Sequence, residues 1–280
     1  RYAGRRMPAT LVGNVVETPL VRHNVDMDTV PGTQAISRAA AVLRVVSAAA
    51  PNPVSTARIA TELGITRPTA HRVAGVLAVE GFLDRDPLRG GWLLGPELYL
   101  MGAVAAVRYD VTVVAAEHVR SLARESGESA FLSARRGDET VCLLREEGSF
   151  PLRSFVLHEG IRFPLGVASA GLAILAMLPD DEREAYLARV SLQTWGDDHA
   201  EPALRERLAQ TRESGVAVNP GLLVEGSWGM GAAVLDATGR PAWALSLTGV
   251  ESRFRPDRRR ELGRLLLEHA HALGRELGRR

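Results

Sequence analysis

Residues 57–95 read ARIATELGITRPTAHRVAGVLAVEGFLDRDPLRGGWLLG, and this stretch predicts the fold of the N-terminal part of the chain. Two short segments with helical spacing are separated by Gly64, which ends the first, and Thr66, which can cap the second. Gly81 ends the second segment, and the polar turn Asp84–Gly91 between the apolar segments Phe82–Leu83 and Trp92–Leu94 is typical of a hairpin. Together with an apolar helix predicted just upstream, the pattern is that of a winged helix-turn-helix.

The outer face of the second helix carries the residues that we expect to contact DNA. With Val73, Val76 and Leu77 directed inward, Arg67 and His71 point outward, where a recognition helix meets base edges in the major groove. Hydroxyls and guanidinium groups at the flanks and on the hairpin are expected to contact phosphates: Thr66, Thr69, Arg72, Arg85 and Arg89. The alternative for the two hairpin residues, Arg85 and Arg89, is that they reach into the minor groove. The alternative interpretation is an ordinary three-helix packing unit with solvated charges.

The charge distribution favours nucleic acid at one end of the chain. Residues 1–95 hold eleven Arg against seven acidic residues, whereas residues 96–280 hold 23 Arg against 26 acidic residues. The 46% of hydrophobic residues predicts a folded protein with a core, not a disordered chain. No apolar run approaches the roughly 18 residues of a membrane helix. Because a single cysteine cannot form an internal disulfide, we expect a cytoplasmic protein without membrane contact.

Composition and periodicity divide the chain into four expected regions: a flexible arm (1–32), the winged helix-turn-helix (33–95), a linker helix (96–108) and a second domain (109–280). The second domain mixes both periods, which predicts an antiparallel sheet with packed helices and an α+β fold overall. Strands are expected at Ser154–His158, Gly231–Leu235 and Ala242–Thr248, and a helix at Ala168–Leu178.

Residues 57–95 resemble the DNA-binding domain of the IclR family of bacterial transcription regulators. The resemblance continues through PLGVASAGLAILAMLP (164–179), through ESGVAVNPGLLVEGSWGMGAAVLDATGRPAWALSLTGVESRF (213–254) and into the closing helix. It implies a winged helix that binds a palindromic double-stranded operator as a homo-oligomer, either a dimer or a dimer of dimers. It also implies a C-terminal domain similar to GAF-type sensory folds, which holds a small carboxylate or aromatic-acid effector.

The resemblance further implies an effector pocket whose residues carry over position by position: Ser169, Ala170, Asn219, Ser227, Gly229, Ser246 and Thr248. Ser169 and Ala170 open a predicted helix, so their backbone N–H groups can receive a carboxylate, although a Ser at a helix start is often only a cap. Ser246 and Thr248 alternate along a strand, which places both hydroxyls on one face.

The same comparison shows where this sequence departs from the family pattern. Asn219 and Gly229 stand where relatives often carry an acidic residue and a Cys, which predicts a less charged and roomier pocket. Trp228 or Met230 is expected to close one side of it.

Enzymatic motifs are not found in the sequence. There is no G-x-S-x-G elbow, and GMGAAV (229–234) lacks the third glycine of a dinucleotide fingerprint. Seven scattered His and one Cys show no recognisable metal spacing, so we predict no catalytic residue, metal or cofactor. Cys142 is expected to be a buried apolar residue. We therefore predict a ligand-responsive regulator of transcription; the alternative is a small-molecule sensor or enzyme whose winged helix makes only protein contacts.

Overall fold

The computed structural model describes residues 34–106, 111–154 and 156–279, so the expected arm at 1–32 lies outside the described residues. The N-terminal part forms three helices, a hairpin and a fourth helix: α1 (Gln34–Ala49), α2 (Thr56–Leu63), α3 (Arg67–Val79), β1 (Leu83–Arg85), β2 (Trp92–Leu94) and α4 (Pro96–Ala106). The predicted winged helix-turn-helix is confirmed. The predicted helix 96–108 is observed up to Ala106, and residues 107 and 108 are not described.

Local sequence explains where the helices of this unit begin and end. The Ser55 hydroxyl accepts a hydrogen bond from the Arg58 backbone N–H at the start of α2. Gly64 ends α2 with a left-handed backbone (φ 63°), which glycine adopts without steric cost. Thr66 then caps α3 by accepting from the Thr69 N–H. Gly64 and Thr66 together set the tight turn between α2 and α3.

The buried face of α3 differs from the expected one. Ala70, Ala74 and Leu77 are buried against α1 and the hairpin, whereas Val76 is 62% exposed. The prediction that Val76 lies inward was wrong, because Val76 belongs to the apolar pattern in sequence but lies on the opposite side of the helix from Ala74. The small alanines let α3 pack closely, and they leave Val76 on the outer face.

The second part of the described chain contains five helices and six strands: α5 (Val111–Ser126), β3 (Ser129–Arg136), β4 (Glu139–Glu146), β5 (Arg162–Pro164), α6 (Ser169–Met177), α7 (Asp180–Arg189), α8 (Glu201–Ser214), β6 (Ala217–Pro220), β7 (Ser227–Leu235), β8 (Pro241–Val250) and α9 (Pro256–Leu277). The strands form one antiparallel sheet in the order β5-β4-β3-β8-β7-β6. The expected α+β fold, with an antiparallel sheet and packed helices, is confirmed.

Helices cover both faces of this sheet and form two separate hydrophobic clusters. On one face, α6, α7 and α8 pack over residues such as Phe131 and Ala244. On the other face, α5 and α9 pack over Leu132, Leu245 and Leu247. Because side chains alternate along each strand, consecutive residues belong to different clusters.

Two of the expected strands differ from those observed. Ser154–His158 contains no strand among its described residues, and the edge strand β5 lies further along at Arg162–Pro164. Strand β7 begins at Ser227, four residues before the expected start at Gly231. In Ser154–His158, the apolar residues Val156 and Leu157 pack onto the core without pairing to a neighbouring strand. Such packing leaves the same hydrophobic signal in the sequence as a strand does.

Candidate functional site

Four residues lie side by side across four strands of the sheet, on the face covered by α6. The strand register pairs Ser129 with Thr248, Thr248 with Gly229 and Gly229 with Asn219. We call this row of neighbouring residues the polar row. It brings together three of the predicted effector residues from β6, β7 and β8, which are up to 29 positions apart in the sequence. Ser246 lies on the same face, two residues from Thr248.

The N-terminus of α6 lies directly on this part of the sheet because β7 carries glycines there. A Cβ atom at Gly231 would lie 2.9 Å from the carbonyl carbon and oxygen of Ser169, and one at Gly229 would lie 3.1 Å from the Ser169 Oγ. Ser169, the first residue of α6, thus contacts the sheet through both backbone and side chain. The space beside Gly229, predicted to be roomier, is bounded by the Ser169 hydroxyl.

Two hydroxyls of the site have no hydrogen-bond partner. Ser246 Oγ and Thr248 Oγ1 are both buried, and neither finds a donor or acceptor in the described part of the chain. Ala168, the residue that precedes α6, makes no side-chain cap hydrogen bond. Leaving a buried hydroxyl unsatisfied costs about 1–3 kcal/mol. Two hydroxyls without partners, beside the uncapped N-terminus of a helix, are therefore suited to bind a hydrogen-bond acceptor.

Two other predicted effector residues are occupied by contacts within the protein. The Asn219 amide donates to the Val167 carbonyl oxygen at 2.9 Å and accepts from the Leu222 backbone N–H at 2.9 Å. Asn219 thus links the turn before α6 to the turn after β6. Ser227 Oγ lies 2.5 Å from Ser154 Oγ, which links β7 to the segment that precedes β5.

The expectation that Trp228 or Met230 closes the pocket was wrong. Both residues belong to the cluster under α5 and α9, and Met230 is only 2% exposed there. The Trp228 ring lies 6.4 Å from the Phe254 ring and 5.3 Å from the Arg259 guanidinium. Strand alternation explains the difference, because Ser227 and Gly229 face α6 and the residues between and after them face the opposite side.

A narrow cleft, too small to admit a water molecule, adjoins Thr248 at the end of the sheet. It is lined by Gly127, Glu128, Ser129, Phe150, Leu152, Arg153 and Thr248. Sequence reasoning missed Glu128, Phe150 and Arg153, because they come from segments without a periodic pattern. The one sequence feature that points to this segment is the run of charged residues at 145–147.

The candidate DNA-contacting residues lie around the N-terminus of α3 and on the hairpin. Thr66, Arg67, His71 and Arg72 are all exposed, and Thr69 is half-buried. The Thr66 and Thr69 hydroxyls lie 2.8 Å apart, so each has a partner inside the cap. Their side chains therefore stabilise the helix start, while the three basic residues remain open to solvent.

Trp92 connects α3 to the hairpin. Its indole N–H donates to Thr56 Oγ1 at 2.9 Å. The His71 ring packs against it in a T-shaped arrangement, with 6.2 Å between the ring centres, and the Arg85 guanidinium lies 5.2 Å from the Trp92 ring centre. The buried Trp thus orients one basic group from the helix and one from the hairpin. At the hairpin turn, Asp86 accepts hydrogen bonds from the Leu88 and Arg89 N–H groups, which leaves the Arg89 side chain exposed.

Other reactive groups of the described chain do not form a recognisable centre. Burial raises the pKa of the Cys142 thiol to about 12, so it stays protonated. His118 and His269 face each other between α5 and α9 with their Nδ1 atoms 3.3 Å apart. No group of three or more His, Cys, Asp or Glu among the described residues could hold a metal ion. No helix in the same residues is both long and apolar enough to cross a membrane.

Comparison with known proteins agrees with this architecture. The model of the bacterial transcriptional regulator IclR C-terminal domain matches residues 103–275, and that of the IclR helix-turn-helix domain matches residues 35–87. The chain belongs to the IclR family. The resemblance noted in the sequence is therefore confirmed, and the IclR family members that it matches are regulators of transcription with a DNA-binding helix-turn-helix.

Individual IclR relatives match over most of the chain. The HTH-type transcriptional repressor AllR of Klebsiella pneumoniae is 28% identical, over 88% of this chain and 91% of its own length. An IclR regulator structure from Alicyclobacillus acidocaldarius superposes with a TM-score of 0.74 at 26% identity, covering 87% of this chain and 98% of the other. An IclR homologue from Microbacterium hydrocarbonoxydans, solved in complex with 4-hydroxybenzoate, has a TM-score of 0.71 at 22% identity, with coverage of 87% and 98%.

Proposed function

We propose that this IclR-family chain is a ligand-responsive transcription regulator whose C-terminal domain binds a small carboxylate effector and whose winged helix binds a double-stranded operator. The observation that carries the effector site is the pair of buried, unpartnered hydroxyls of Ser246 and Thr248 beside the N-terminus of α6. We propose no catalytic role, metal or cofactor, and we place the protein with its DNA in the cytoplasm.

A carboxylate satisfies the groups that this site leaves open. Its oxygens accept hydrogen bonds from the two hydroxyls, and they also accept from the backbone N–H groups of Ser169 and Ala170 at the start of α6. The positive end of the helix dipole adds a favourable interaction with the negative charge. Gly229 and Gly231 contribute by letting α6 approach the sheet. Asn219 and Ser227 border the site and hold its turns in place.

The relatives are compatible with this ligand class. The Microbacterium homologue, which has the same fold, is complexed with 4-hydroxybenzoate, an aromatic carboxylate. The site can be tested with a thermal-shift titration of benzoate, 4-hydroxybenzoate and short aliphatic acids, since a ligand that binds the native state raises the melting temperature. An equal response from a Ser246→Leu variant would place the site elsewhere.

On the DNA side, we propose that Arg67 and His71 read base edges while Thr66, Thr69, Arg72, Arg85 and Arg89 support phosphate contacts. The exposure of the basic residues and the orienting contacts of Trp92 support this assignment. Changing Arg67 to Ala should cost about 1–3 kcal/mol of operator binding and relax the sequence preference, whereas Arg89→Ala should weaken all duplexes alike and flatten the salt dependence.

The experiment is a binding titration against specific and random duplexes at several salt concentrations. Loss of affinity in both variants without any change in specificity or salt slope would contradict the assignment. Absence of any duplex binding by the intact protein would favour the alternative, in which the winged helix makes protein contacts only.

We further propose that the regulator acts as a homo-oligomer that assembles through α4. This helix has an apolar surface that stays open to solvent: Tyr99, Leu100, Met101 and Val104 are each at least 52% exposed. Two half-sites of an operator require two recognition helices, and a symmetric dimer supplies them. Sedimentation equilibrium at tens of micromolar decides this point, because a monomer there would rule out the arrangement.

A further inference from the structure

Residues 147–154, which we call the strap, run from the end of β4 past the end of the polar row. The strap lies close against the turn between α5 and β3, since a Cβ atom at Gly148 would be 2.1 Å from the Gly127 carbonyl oxygen. The Phe150 N–H donates to that same oxygen at 3.1 Å. At its far end, the Ser154 hydroxyl contacts Ser227 on β7. The strap is thus held at several points, and its side chains have defined positions beside Thr248.

Arg153 of the strap lines the cleft that adjoins Thr248. Its Nε atom is buried and has no hydrogen-bond partner in the described part of the chain. Its Nη1 atom pairs with the carboxylate of Glu147, which belongs to the same strap and which also pairs with Arg145 at 2.9 Å. The guanidinium of Arg153 is therefore satisfied on one side only, by a carboxylate whose side chain is 46% exposed.

The acidic residue that lines the cleft, Glu128, is neutralised by a separate partner. Glu128 is only 2% exposed, and its carboxylate accepts from Arg253 Nε at 2.7 Å. Arg253 in turn lies 4.4 Å from the centre of the Phe150 ring. The cleft itself has no room for a ligand group, so an anionic group can reach Arg153 only on the solvent side, where the Glu147 carboxylate now pairs with it. At that position it would not meet an uncompensated negative charge.

We propose that Arg153 binds a second anionic group of the effector, and that Glu147 takes this place when no effector is bound. The effector would then be a dicarboxylate: one carboxylate at Ser246, Thr248 and the start of α6, and the other at Arg153. The inference rests on the proposed carboxylate site and adds a second end to it. Exchanging Glu147 for a ligand carboxylate keeps the guanidinium of Arg153 paired with a carboxylate.

The experiment compares two acids of equal length, adipate and hexanoate, by calorimetric titration of the full chain. Loss of a hydrogen bond to a charged group corresponds to about tenfold or more in affinity. We expect Arg153→Gln to lower the affinity for adipate by that factor and to leave the affinity for hexanoate unchanged. The adipate affinity of Arg153→Lys should lie between those of the wild type and Arg153→Gln. Glu147→Gln should raise the affinity for adipate, because it removes the carboxylate that competes with the ligand for Arg153. Glu146→Gln and Arg120→Gln, which alter a 3.9 Å pair outside the cleft, are the matched controls.

Opposite shifts for Arg153→Gln and Glu147→Gln, specific to the dicarboxylate, would support the assignment. The inference is overturned if no dicarboxylate from malonate to suberate binds the wild type more tightly than the monocarboxylate of the same length. It is also overturned if Arg153→Gln weakens both acids equally. In these two cases the proposed effector site still stands, provided that Ser246→Leu lowers the affinity for the monocarboxylate. If neither class of acid binds, both proposals fall together.

Discussion

The two faces of the six-stranded sheet use the same strands for different purposes. Under α5 and α9, the strands present Ala130, Leu132, Leu245 and Leu247, all with 0% exposure. Under the start of α6, the same strands present the polar row and Ser246, with hydroxyls that lack partners. Because alternate residues of one strand face opposite sides, β8 contributes to the core and to the candidate site within the four residues 245–248. Neighbouring substitutions on one strand are therefore expected to alter stability and ligand binding separately.

The largest expected effect comes from the apolar face. Leu245→Ala removes a fully buried side chain and should lower the free energy of unfolding by about 2–5 kcal/mol, since it combines lost burial with a cavity. Effector affinity, measured at a temperature where the variant is folded, should stay unchanged. Denaturant unfolding and calorimetric titration provide the two measurements. A large change in effector affinity would show that the two faces are not independent.

A smaller effect, of opposite sign for stability, is expected one residue further along. Ser246→Ala removes a buried hydroxyl that has no partner, so the ligand-free protein should be equally stable or more stable by about 1 kcal/mol. The same change should weaken carboxylate binding several-fold, because a donor to the ligand is lost. Melting temperature with and without ligand tests both effects at once. Lower stability without any change in carboxylate binding would assign the hydroxyl to the core and not to the site.

The smallest effect concerns protonation, and it compares a histidine from each side of the sheet. Burial lowers the pKa of His199 below its usual 6.5, and its Nε2–H donates to the Val167 carbonyl that Asn219 also holds. As the pH falls through 6.5, the unfolded chain takes up the proton first, so stability should decrease below about pH 6.5. Burial also lowers the pKa of His269 near α5, but Glu125 opposes that shift.

Unfolding free energies at pH 7.5 and 5.5 test this comparison. His199→Gln should reduce the loss of unfolding free energy at acidic pH more than His269→Gln does. The loss that one histidine contributes is up to about 1.4 kcal/mol for each unit by which folding lowers its pKa. An equal reduction in both variants would mean that Glu125 does not compensate His269. No reduction in either would mean that carboxylates elsewhere cause the acid sensitivity.

Local patterns predicted much of this architecture. Gly64 and Thr66 predicted the turn of the helix-turn-helix, because a left-handed glycine and a hydroxyl cap are requirements of the backbone itself. Alternation of Ser246 and Thr248 predicted their common face, and the order of motifs identified the family. These features depend on residues close in sequence, so their physics is contained in a short stretch.

Features that depend on distant residues were not predictable in the same way. Val76 lies outside because Ala70 and Ala74 pack against other elements, and Ser154–His158 is held by the core without pairing to a strand. Trp228 follows Ser227, but the register of β7 places it on the opposite face. Each case has a hydrophobic signal that several structures could satisfy, and tertiary packing selects one of them.

The sequence by itself determined the two-part architecture, the family and the residue types of the site. Only the tertiary structure decided that Ser129 and Asn219 share one row, that the glycines of β7 admit the start of α6, and that Arg153 lies beside Thr248. The physical reason is that caps and strand alternation arise from local backbone geometry. Strand register and the path of an aperiodic segment are set by contacts between residues far apart in the chain.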